Sequence, residues 1–444
     1  MNTLIIEQFI KAASVFREGY HAAGTLDEAA NMLAADPSIG KENIFTAVIV
    51  ADVNAVQHFI SIDKTSAVTK GGPYNWDPLT YLCFSRFLQF DASRSDDFVR
   101  CGEILLNAGA DANTGWWEND HQPEPEWEPV LYGACGLAHH PGMTKLLLDR
   151  GADPNDIEVV YHSPETSDNR AMEILMDTGK LTDESLILML IRKHDWHDHD
   201  GAKMILATGV DPNITWRDRT PLLNSIQRDN HEHMIRLLLE HKADPTLTIK
   251  NVSGFSLAAR RGRGDLLKMF TEFGFAMQLP GVEKLIAACA LNDEFAINAI
   301  KENEPALVNE LLAEGGKLLA EFAGTNNSDG VNQLLKLGIP VTALYSGDPY
   351  FGIPANSTAL HVAAWKAWHR TVKLLIENKA PVNITDGYGK SPLFLAVRAC
   401  TDSYWSYRRT TESIKALLDA GATTEGIQIP TGYEEADYLL TGTK

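Results

Sequence analysis

The segment HDWHDHDG, from His194 to Gly201, is rich in potential metal ligands. It contains three histidines and three aspartates, and imidazole and carboxylate groups are ligands for zinc and other transition metals. The segment also falls where one short predicted helix passes into the next, which is typical of a solvated polar turn. We favour the turn and expect no bound metal. A metal-dependent enzyme with an unrecognised site is kept as an alternative, with His194, His197 and His199 as its ligands.

A second segment, GYGKSP from Gly387 to Pro392, contains the G-K-S triplet of phosphate-binding loops. Such a loop requires a further glycine at the position of Ile384, and it follows a strand, whereas this stretch is predicted to be a turn between helices. Serine-hydrolase, zinc-protease and dinucleotide-binding motifs do not occur in their proper context. We therefore expect a non-catalytic protein without a cofactor.

The segment TGWWENDHQPEPEWEP, from Thr114 to Pro129, suggests chemistry of another kind. Its residues include three tryptophans and five carboxylates but no lysine or arginine, and its prolines exclude a helix. Aromatic side chains on loops are frequent hot spots of protein binding. From Cys101 to Thr144 the chain has seven acids and no Lys or Arg, which predicts an acidic surface that prefers a basic partner.

The charge and cysteine content limit the class of protein. The 444 residues carry a formal charge of −20, which would repel the phosphate backbone of nucleic acids. The densest basic group, Arg260, Arg261 and Arg263, is interpreted as a solvated helix face. The five cysteines are widely spaced and never paired as C-x-x-C, so we interpret them as core residues in a reducing compartment. We expect no nucleic-acid partner.

The N-terminus has no basic region before its short apolar run, so it does not resemble a signal peptide. No window reaches the roughly 18 uninterrupted apolar residues that a membrane span requires. We therefore expect a soluble cytoplasmic protein, a monomer that does not contact membranes.

The elements that position these segments emerge when the sequence is compared with itself. One short pattern recurs, in which an apolar pair is followed by a helix stop and a polar end. Its glycines, such as Gly109, Gly151, Gly209 and Gly421, stand where a left-handed residue would end a helix. The copies are LLNAGADAN, LLDRGADPN, ILATGVDPN, LLEHKADPT, LIENKAPVN and LLDAGATTE.

A second pattern precedes these copies and marks the start of a helix. A capping Thr, Ser or Asp next to proline occurs in several forms: DPLTYL, EPVLYGA, RTPLLNSI, STALHVAA and KSPLFLAV. Together the patterns resemble the ankyrin repeat family, whose unit of about 33 residues is a turn and two antiparallel helices. Thr358, Leu360, His361, Ala363 and Ala364 match the family's first motif. The resemblance implies that the His361 ring hydrogen-bonds neighbouring turns.

This resemblance implies an all-α fold, an ankyrin-type α-solenoid of stacked helix-turn-helix repeats with enlarged finger loops. We predict an N-terminal capping helix in residues 1–25, about 11–12 repeats in residues 26–426, several of them degenerate, and a C-terminal cap in residues 427–444. The copies between Asp168 and Leu337 differ most from the family pattern, so some helix pairs there are expected to be irregular.

Uneven spacing locates insertions in this array. FLQFDASRSDD and TDSYWSYRRT lengthen the distance from helix start to helix stop, so they are predicted to lie between the two helices of a repeat. AVTKGGPYNWD, TGWWENDHQPEPEWEP and YSGDPYFGIPAN lengthen the turn between repeats, which projects as a finger in ankyrin-like arrays. Aromatic residues are therefore concentrated where the fold is predicted to point outward.

We predict a non-catalytic module that binds a protein partner through its concave face and its acidic, aromatic finger loops. An inhibitor that neutralises a basic enzyme, like an immunity protein or antitoxin, is an alternative, because the sequence looks more like bacterial ankyrin proteins than animal ones. Rings that fold back onto the solenoid would be structural, whereas exposed rings would be anchors. The candidate partner-binding residues are Tyr74, Trp76, Trp116, Trp117, Trp127, Tyr350, Phe351, Tyr404, Trp405 and Tyr407.

Overall fold

Short α-helices make up most of the chain, as the computed structural model shows for residues 3–15 and 25–442. The chain divides into two compact units, Met1–Arg228 and Asp229–Lys444. The predicted all-α fold is confirmed. Of the predicted N-terminal cap, residues 1–2 and 16–24 lie outside the described residues, as do residues 443–444 of the predicted C-terminal cap.

The first unit contains a two-stranded hairpin in addition to its helices. The helices and strands are α1 (Thr3–Ala13), α2 (Asp27–Ala35), α3 (Ile44–Ile49), α4 (Val53–Ile62), α5 (Pro78–Cys83), α6 (Arg86–Phe90), α7 (Ser95–Ala108), β1 (Gly115–Glu118), β2 (Glu126–Pro129), α8 (Pro141–Asp149), α9 (Ile157–His162), α10 (Arg170–Asp177), α11 (Asp183–Asp195), α12 (His199–Leu206) and α13 (Pro221–Gln227). Short 3₁₀ segments are Pro37–Lys41, Lys64–Ala67 and Ala92–Arg94, and Tyr132–Leu137 is a π-helix.

The second unit continues the series of helices. They are α14 (Glu232–Glu240), α15 (Gly254–Arg260), α16 (Gly264–Glu272), α17 (Val282–Leu291), α18 (Glu294–Asn303), α19 (Ala306–Ala313), α20 (Gly315–Gly324), α21 (Ser328–Leu337), α22 (Ala359–Trp365), α23 (His369–Glu377), α24 (Pro392–Thr401), α25 (Glu412–Asp419) and α26 (Glu434–Thr441), with a 3₁₀ segment at Tyr404–Arg408. Helix pairs such as α17 with α18 and α20 with α21 lie where degenerate repeats were predicted, and α19 is an additional helix there.

The helix starts that the sequence predicts are confirmed by capping hydrogen bonds. Asp77, Thr220 and Ser391 each accept a backbone N–H of the first helical turn, and a proline follows each of them. These bonds satisfy donors that the helix itself leaves free. Pro129 differs from these prolines because it ends strand β2, and the helical segment begins at the next residue, Val130.

The asparagine that ends several repeat motifs links one turn to the next. The Asn113 side-chain amide donates to Gly151 O at 3.0 Å, and its oxygen accepts the Asp153 N–H at 2.9 Å. Asn383 makes the same pair of bonds with Gly421 O and the Thr423 N–H, at 3.0 and 2.9 Å. A side-chain amide both donates and accepts, so it bridges backbone groups of adjacent turns. This pairing explains why the residue recurs in the sequence.

His361 has the structural role that the resemblance implies. Its Nδ1 accepts the Thr358 N–H at 3.1 Å, and its Nε2–H lies 3.1 Å from Ile384 O and 3.2 Å from Lys390 O. Burial lowers the pKa of His361, which favours the neutral ring that these bonds require.

Within residues 3–15 and 25–442, no helix has the length and apolar character needed to cross a lipid bilayer.

Candidate protein-binding site

The insertion that follows α7 folds into an antiparallel hairpin, the tryptophan hairpin (residues 115–129). Trp116 pairs with Glu128 and Trp117 with Trp127 across the two strands. A Cβ atom on Gly115 would lie 2.2 Å from the Glu128 carbonyl oxygen, so this close pairing requires glycine. Since successive residues of a strand point to opposite faces, the two adjacent tryptophans have different surroundings.

Trp116 faces the helices of the first unit and is only 6% exposed. Its ring centroid lies 5.0 Å from that of Trp76 and 5.9 Å from that of Phe84. Trp76 is 4% exposed, and the half-buried Tyr74 ring lies 4.8 Å from it. Trp76 and Trp116, two of the candidate partner-binding residues, therefore fold back onto the helices, because both rings are buried in an aromatic cluster that attaches the hairpin.

Trp117 points away from this cluster and is 57% exposed. Its ring lies 5.2 Å from that of Trp127, which is half-buried. The hairpin therefore presents one aromatic pair on its outer face while its inner face is buried. Of the tryptophans in this segment, Trp117 has the exposure that a partner contact needs.

The acidic surface around the hairpin is smaller than the sequence predicts. Glu118 is 6% exposed and Glu128 is fully buried, because both alternate with the outward-facing tryptophans and point inward with Trp116. Asp111, Asp120 and Glu124 remain exposed. The acids that a partner could meet are thus in the loops at the ends of the strands.

Three carboxylates converge on the inner side of the hairpin. Glu126, Glu128 and Glu158 each have a carboxylate oxygen within 4.8 Å of the others. Among residues 3–15 and 25–442, these three side chains form the one cluster of potential metal ligands. His121 Nε2 lies 2.9 Å from Glu126, and His162 Nε2 lies 3.2 Å from Glu158. The sequence did not indicate this group, because Glu158 belongs to helix α9 and reaches the hairpin only through the fold.

The segment HDWHDHDG forms the end of α11, a turn and the start of α12. His194 is fully buried, and its Nδ1–H donates to Leu190 O at 2.7 Å. The Asp195 carboxylate lies 2.7 Å from both Arg192 and Arg228, while Asp198 pairs with Lys193 at 2.8 Å and caps α12. The carboxylates of this segment therefore stabilise the local fold. A turn is present as predicted, but it is only partly solvated, because His194 is buried and the Asp195 side chain is 9% exposed.

In the second unit, two insertions contact each other. The loop of residues 345–357 is closed by backbone bonds from the Tyr345 N–H to Ser357 O and from the Asp348 N–H to Ile353 O, at 2.7 and 2.8 Å. The segment of residues 402–411 lies between α24 and α25, as the spacing predicts, and contains the 3₁₀ helix. Phe351 of the loop lies 5.8 Å from Trp405 of the segment, ring to ring.

Trp405, another candidate partner-binding residue, is 3% exposed and therefore folds back onto the helices. It lies under the segment because its ring packs against Phe351 and lies 5.3 Å from the Lys366 ammonium. Phe351 is half-buried, and its backbone oxygen accepts the Trp365 indole N–H at 2.7 Å. Both rings hold the two insertions on the helices.

Three tyrosines next to these rings remain exposed and are called the tyrosine patch: Tyr350 (49%), Tyr404 (54%) and Tyr407 (56%). Tyr404 lies 5.7 Å from Tyr407 and 4.8 Å from Trp405, and Tyr350 lies 4.9 Å from Phe351. Each exposed tyrosine therefore adjoins another aromatic ring that fixes its position.

Buried ion pairs lie beneath the two insertions. Asp229 forms ion pairs with both Arg261 and Lys366, and Arg261 also pairs with Glu321 at 3.1 Å. The Lys366 ammonium lies 3.9 Å from the centroid of the Phe351 ring. Burial alone would raise the pKa of Asp229, but the two cations hold it below its ordinary value. The carboxylate is therefore ionised inside the protein.

The basic group Arg260, Arg261 and Arg263 is not a solvated face. The Arg261 side chain is 7% exposed and the Arg263 side chain 10%, and each of the three arginines is paired with an acid. The sequence interpretation is wrong because Glu283 and Asp229, which pair with Arg260 and Arg261, lie 23 and 32 residues away in the chain, so only the fold brings them to these arginines.

Comparisons with known proteins agree with the repeats. Residues 285–425 match the family model of ankyrin repeats in three copies. Among solved structures, the chain is similar to the crystal structure of the human ASB11 ankyrin repeat domain, at 22% identity over 52% of this chain and 96% of that one, with a TM-score of 0.23. A search of curated proteins gave no match. The family match and the capped, repeated helix pairs lead to one conclusion: residues 285–425 of this chain are ankyrin repeats.

Proposed function

We propose that this protein is a non-catalytic module that binds another protein through the exposed rings of its inserted segments. The observation that carries the proposal is the tyrosine patch, in which each of three half-exposed rings lies against another aromatic ring, for Tyr404 the buried Trp405 and for Tyr350 the half-buried Phe351. A ring that is already ordered loses little conformational freedom on binding, so more of its contact energy contributes to affinity. Ankyrin repeats generally act as protein–protein interaction modules, which supports this assignment.

The outer face of the tryptophan hairpin is the second contact in this proposal. The exposed Trp117 and the half-buried Trp127 form a pair of rings on the hairpin that also carries the exposed acids Asp120 and Glu124. Carboxylates around an aromatic anchor favour a partner with a basic patch, because they accelerate its approach and orient it. An inhibitor of a basic enzyme would use the same surface and is one form of this function.

The module is proposed to act as a cytoplasmic monomer. All five cysteines are free and buried, which suits a reducing compartment. Burial raises the pKa of the Cys83 thiol above its ordinary value, so this group is an unreactive core side chain.

The proposal is tested by recovering partners from a lysate of the native host with the full chain as bait. Tyr404→Ala/Tyr407→Ala is compared with wild type and with Tyr438→Ala, whose side chain has the same exposure as Tyr407, 56%, but lies on α26. Truncating a hot-spot ring costs roughly 2 kcal/mol or more, so we expect about a thirtyfold weaker affinity for a purified partner. Tyr438→Ala is expected to bind like wild type.

Equal recovery of the same partners by wild type and the double variant would contradict the role of the tyrosine patch. A parallel variant, Trp117→Ala, reports on the hairpin alone. Loss of a partner in this variant but not in the tyrosine variant would assign binding to the hairpin.

A further inference from the structure

A small cavity lies beside the tyrosine patch within the second unit. Its volume is about 210 Å³, and its lining includes Asn230, His231, Arg263, Trp368, Trp405 and Arg408. Sites for cofactors and drug-sized ligands usually measure about 300–1,000 Å³. This cavity is therefore of a size that suits one side chain or one chain end of a protein.

Arg408 forms the most distinctive wall of the cavity. Its guanidinium carbon lies 3.6 Å from the centroid of the Trp368 ring and 4.4 Å from that of Trp405. The Trp368 indole N–H donates to Gly324 O at 2.7 Å, which fixes that ring. The aromatic rings thus hold the flat guanidinium by its faces and leave its edge for hydrogen bonds.

The polar edge of Arg408 is barely used by the protein. Its Nη1–H donates only a long 3.4 Å bond to the Tyr407 hydroxyl, and its Nε is buried without a hydrogen-bond partner. In the part of the chain that the structure describes, residues 3–15 and 25–442, no carboxylate forms an ion pair with this guanidinium. A buried N–H donor without a partner is costly, and an acceptor from outside would remove that cost.

The acids around the cavity are committed to other cations. Asp229 pairs with Arg261 and Lys366, and Asp265 pairs with Arg263 at 2.7 Å. Glu232 is exposed at the rim of the cavity. This arrangement leaves Arg408 at the wall of the cavity without a carboxylate, among the described residues, that pairs with it.

The pKa of a neighbouring histidine is affected by the positive charge of Arg408. Burial lowers the pKa of His231, and the adjacent Arg408 and Arg263 lower it further. At the His231 ring the charges of these two arginines therefore outweigh the opposing charge of Glu232, although the whole chain carries a formal charge of −20.

We propose that this cavity, the Arg408 pocket, binds a carboxylate of the protein partner, supplied by an Asp or Glu side chain or by a chain end. The inference rests on the proposed function and names the chemistry that one part of the partner must present. Arginine and carboxylate match in a planar, two-bond geometry, and the surrounding rings exclude water that would weaken those bonds.

The test uses purified full-length protein and matched peptide arrays. One array has a fixed central glutamate flanked by varied apolar and aromatic residues, and its counterpart has glutamine at that position. A second pair of arrays compares free C-terminal carboxylates with C-terminal amides, which separates the two sources of the group. A charge-assisted hydrogen bond contributes enough to make the best carboxylate peptide roughly tenfold to a hundredfold tighter than its neutral match.

Four variants make this expectation specific. Arg408→Gln is expected to abolish the preference, and Arg408→Lys, which keeps the charge but not the planar fork, to retain part of it. Arg409→Gln removes the same charge from the exposed neighbouring residue and is expected to leave the preference within about twofold of wild type. Glu232→Gln removes the exposed acid at the rim and is expected to strengthen binding of carboxylate peptides.

A wild-type protein without carboxylate preference would overturn the pocket, as would a preference that survives Arg408→Gln or falls equally in Arg409→Gln. If Arg408→Gln does not fold, Arg408→Lys and Glu232→Gln decide, since they must shift the preference in opposite directions. Inorganic phosphate that competes better than acetate at equal ionic strength would overturn the assignment to carboxylate.

Failure of the pocket and failure of the proposed function give different results. If the tyrosine variant loses the partners and the peptide arrays show no preference for carboxylate, the binding module is retained and the pocket is refuted. If the tyrosine variant still recovers the same partners and carboxylate peptides show an Arg408-dependent preference, the pocket is retained and the binding role of the tyrosine patch is refuted.

Discussion

The tryptophan hairpin of the first unit and the paired insertions of the second unit attach aromatic segments to a repeat array by different physics. In the hairpin, Trp116 packs on Trp76 and Phe84, so the attachment depends on buried apolar area. Beneath the insertions, Asp229 pairs with Lys366, whose ammonium faces the Phe351 ring, so the attachment depends on charge. The comparison shows that an aromatic-rich insertion need not be held by hydrophobic contact alone.

This difference also affects what each region offers a partner. The hairpin leaves one aromatic pair and several acids outside, whereas the insertions leave three tyrosines and the edge of Arg408. The first surface is suited to a basic patch and the second to a carboxylate. A partner that contacts both would need opposite charges in two places, and this requirement would add specificity.

The largest expected effect comes from removing the central charge of the second unit. Asp229→Asn leaves Lys366 without its counter-ion and removes one of the two acids that pair with Arg261. Breaking a buried ion pair from one side costs about 3–5 kcal/mol, and two cations are affected here, so we expect a loss of about 5 kcal/mol in the free energy of unfolding. Urea denaturation followed by circular dichroism measures this loss.

Asp265→Asn is the matched control for this change. Asp265 also pairs with an arginine, Arg263, but its side chain is 45% exposed. Exposed pairs contribute about 0–1 kcal/mol, so this variant is expected to be nearly as stable as wild type. If the two variants lose the same stability, charge is not what attaches the insertions of the second unit.

The next largest effect is expected in the hairpin, where two adjacent tryptophans form a natural pair for comparison. Trp116→Ala removes a buried ring and is expected to lower the free energy of unfolding by about 3–4 kcal/mol. Trp117→Ala removes a ring that is 57% exposed and is expected to cost less than about 1 kcal/mol. The same denaturation experiment measures both, and equal losses would refute the two-faced hairpin.

Local signals in the sequence predicted the repeats because capping and helix termination need only a few adjacent residues. Ser391 and Thr358 at helix starts are examples, as is Gly109, which ends α7 with a φ of 111°. The location of the insertions followed from counting residues between such signals. This part of the fold was therefore predictable from the sequence.

The surroundings of individual side chains were not predictable in the same way. Which of Trp116 and Trp117 is buried depends on the register of the hairpin, since a shift by one residue exchanges the two faces. Asp229 and Lys366 are 137 residues apart, so no local pattern connects them. Exposure of the tyrosine patch likewise depends on Trp405 and Phe351 meeting across two insertions. These features belong to long-range packing.

Acid is also expected to act in different pH ranges on two buried groups, the neutral base His194 of the first unit and the ionised acid Asp229 of the second. Burial lowers the pKa of His194 to about 4, whereas the unfolded chain has an ordinary value near 6.5. Between these values the unfolded state binds a proton that the folded state does not. His194 therefore leaves stability intact above pH 6.5 and reduces it by about 3 kcal/mol as the pH falls toward 4.

The variant His194→Gln separates this contribution from that of the other titrating groups. Its free energy of unfolding is expected to fall less steeply than that of wild type between pH 6.5 and 4, whatever its stability at neutral pH. His199→Gln is the control, because this side chain is 36% exposed. The contribution of Asp229 to stability is lost at a lower pH. Its depressed pKa keeps the carboxylate ionised in the folded state until the pH falls below the ordinary carboxyl value. If His194→Gln and wild type have parallel pH profiles, the first unit does not owe its acid sensitivity to this buried ring.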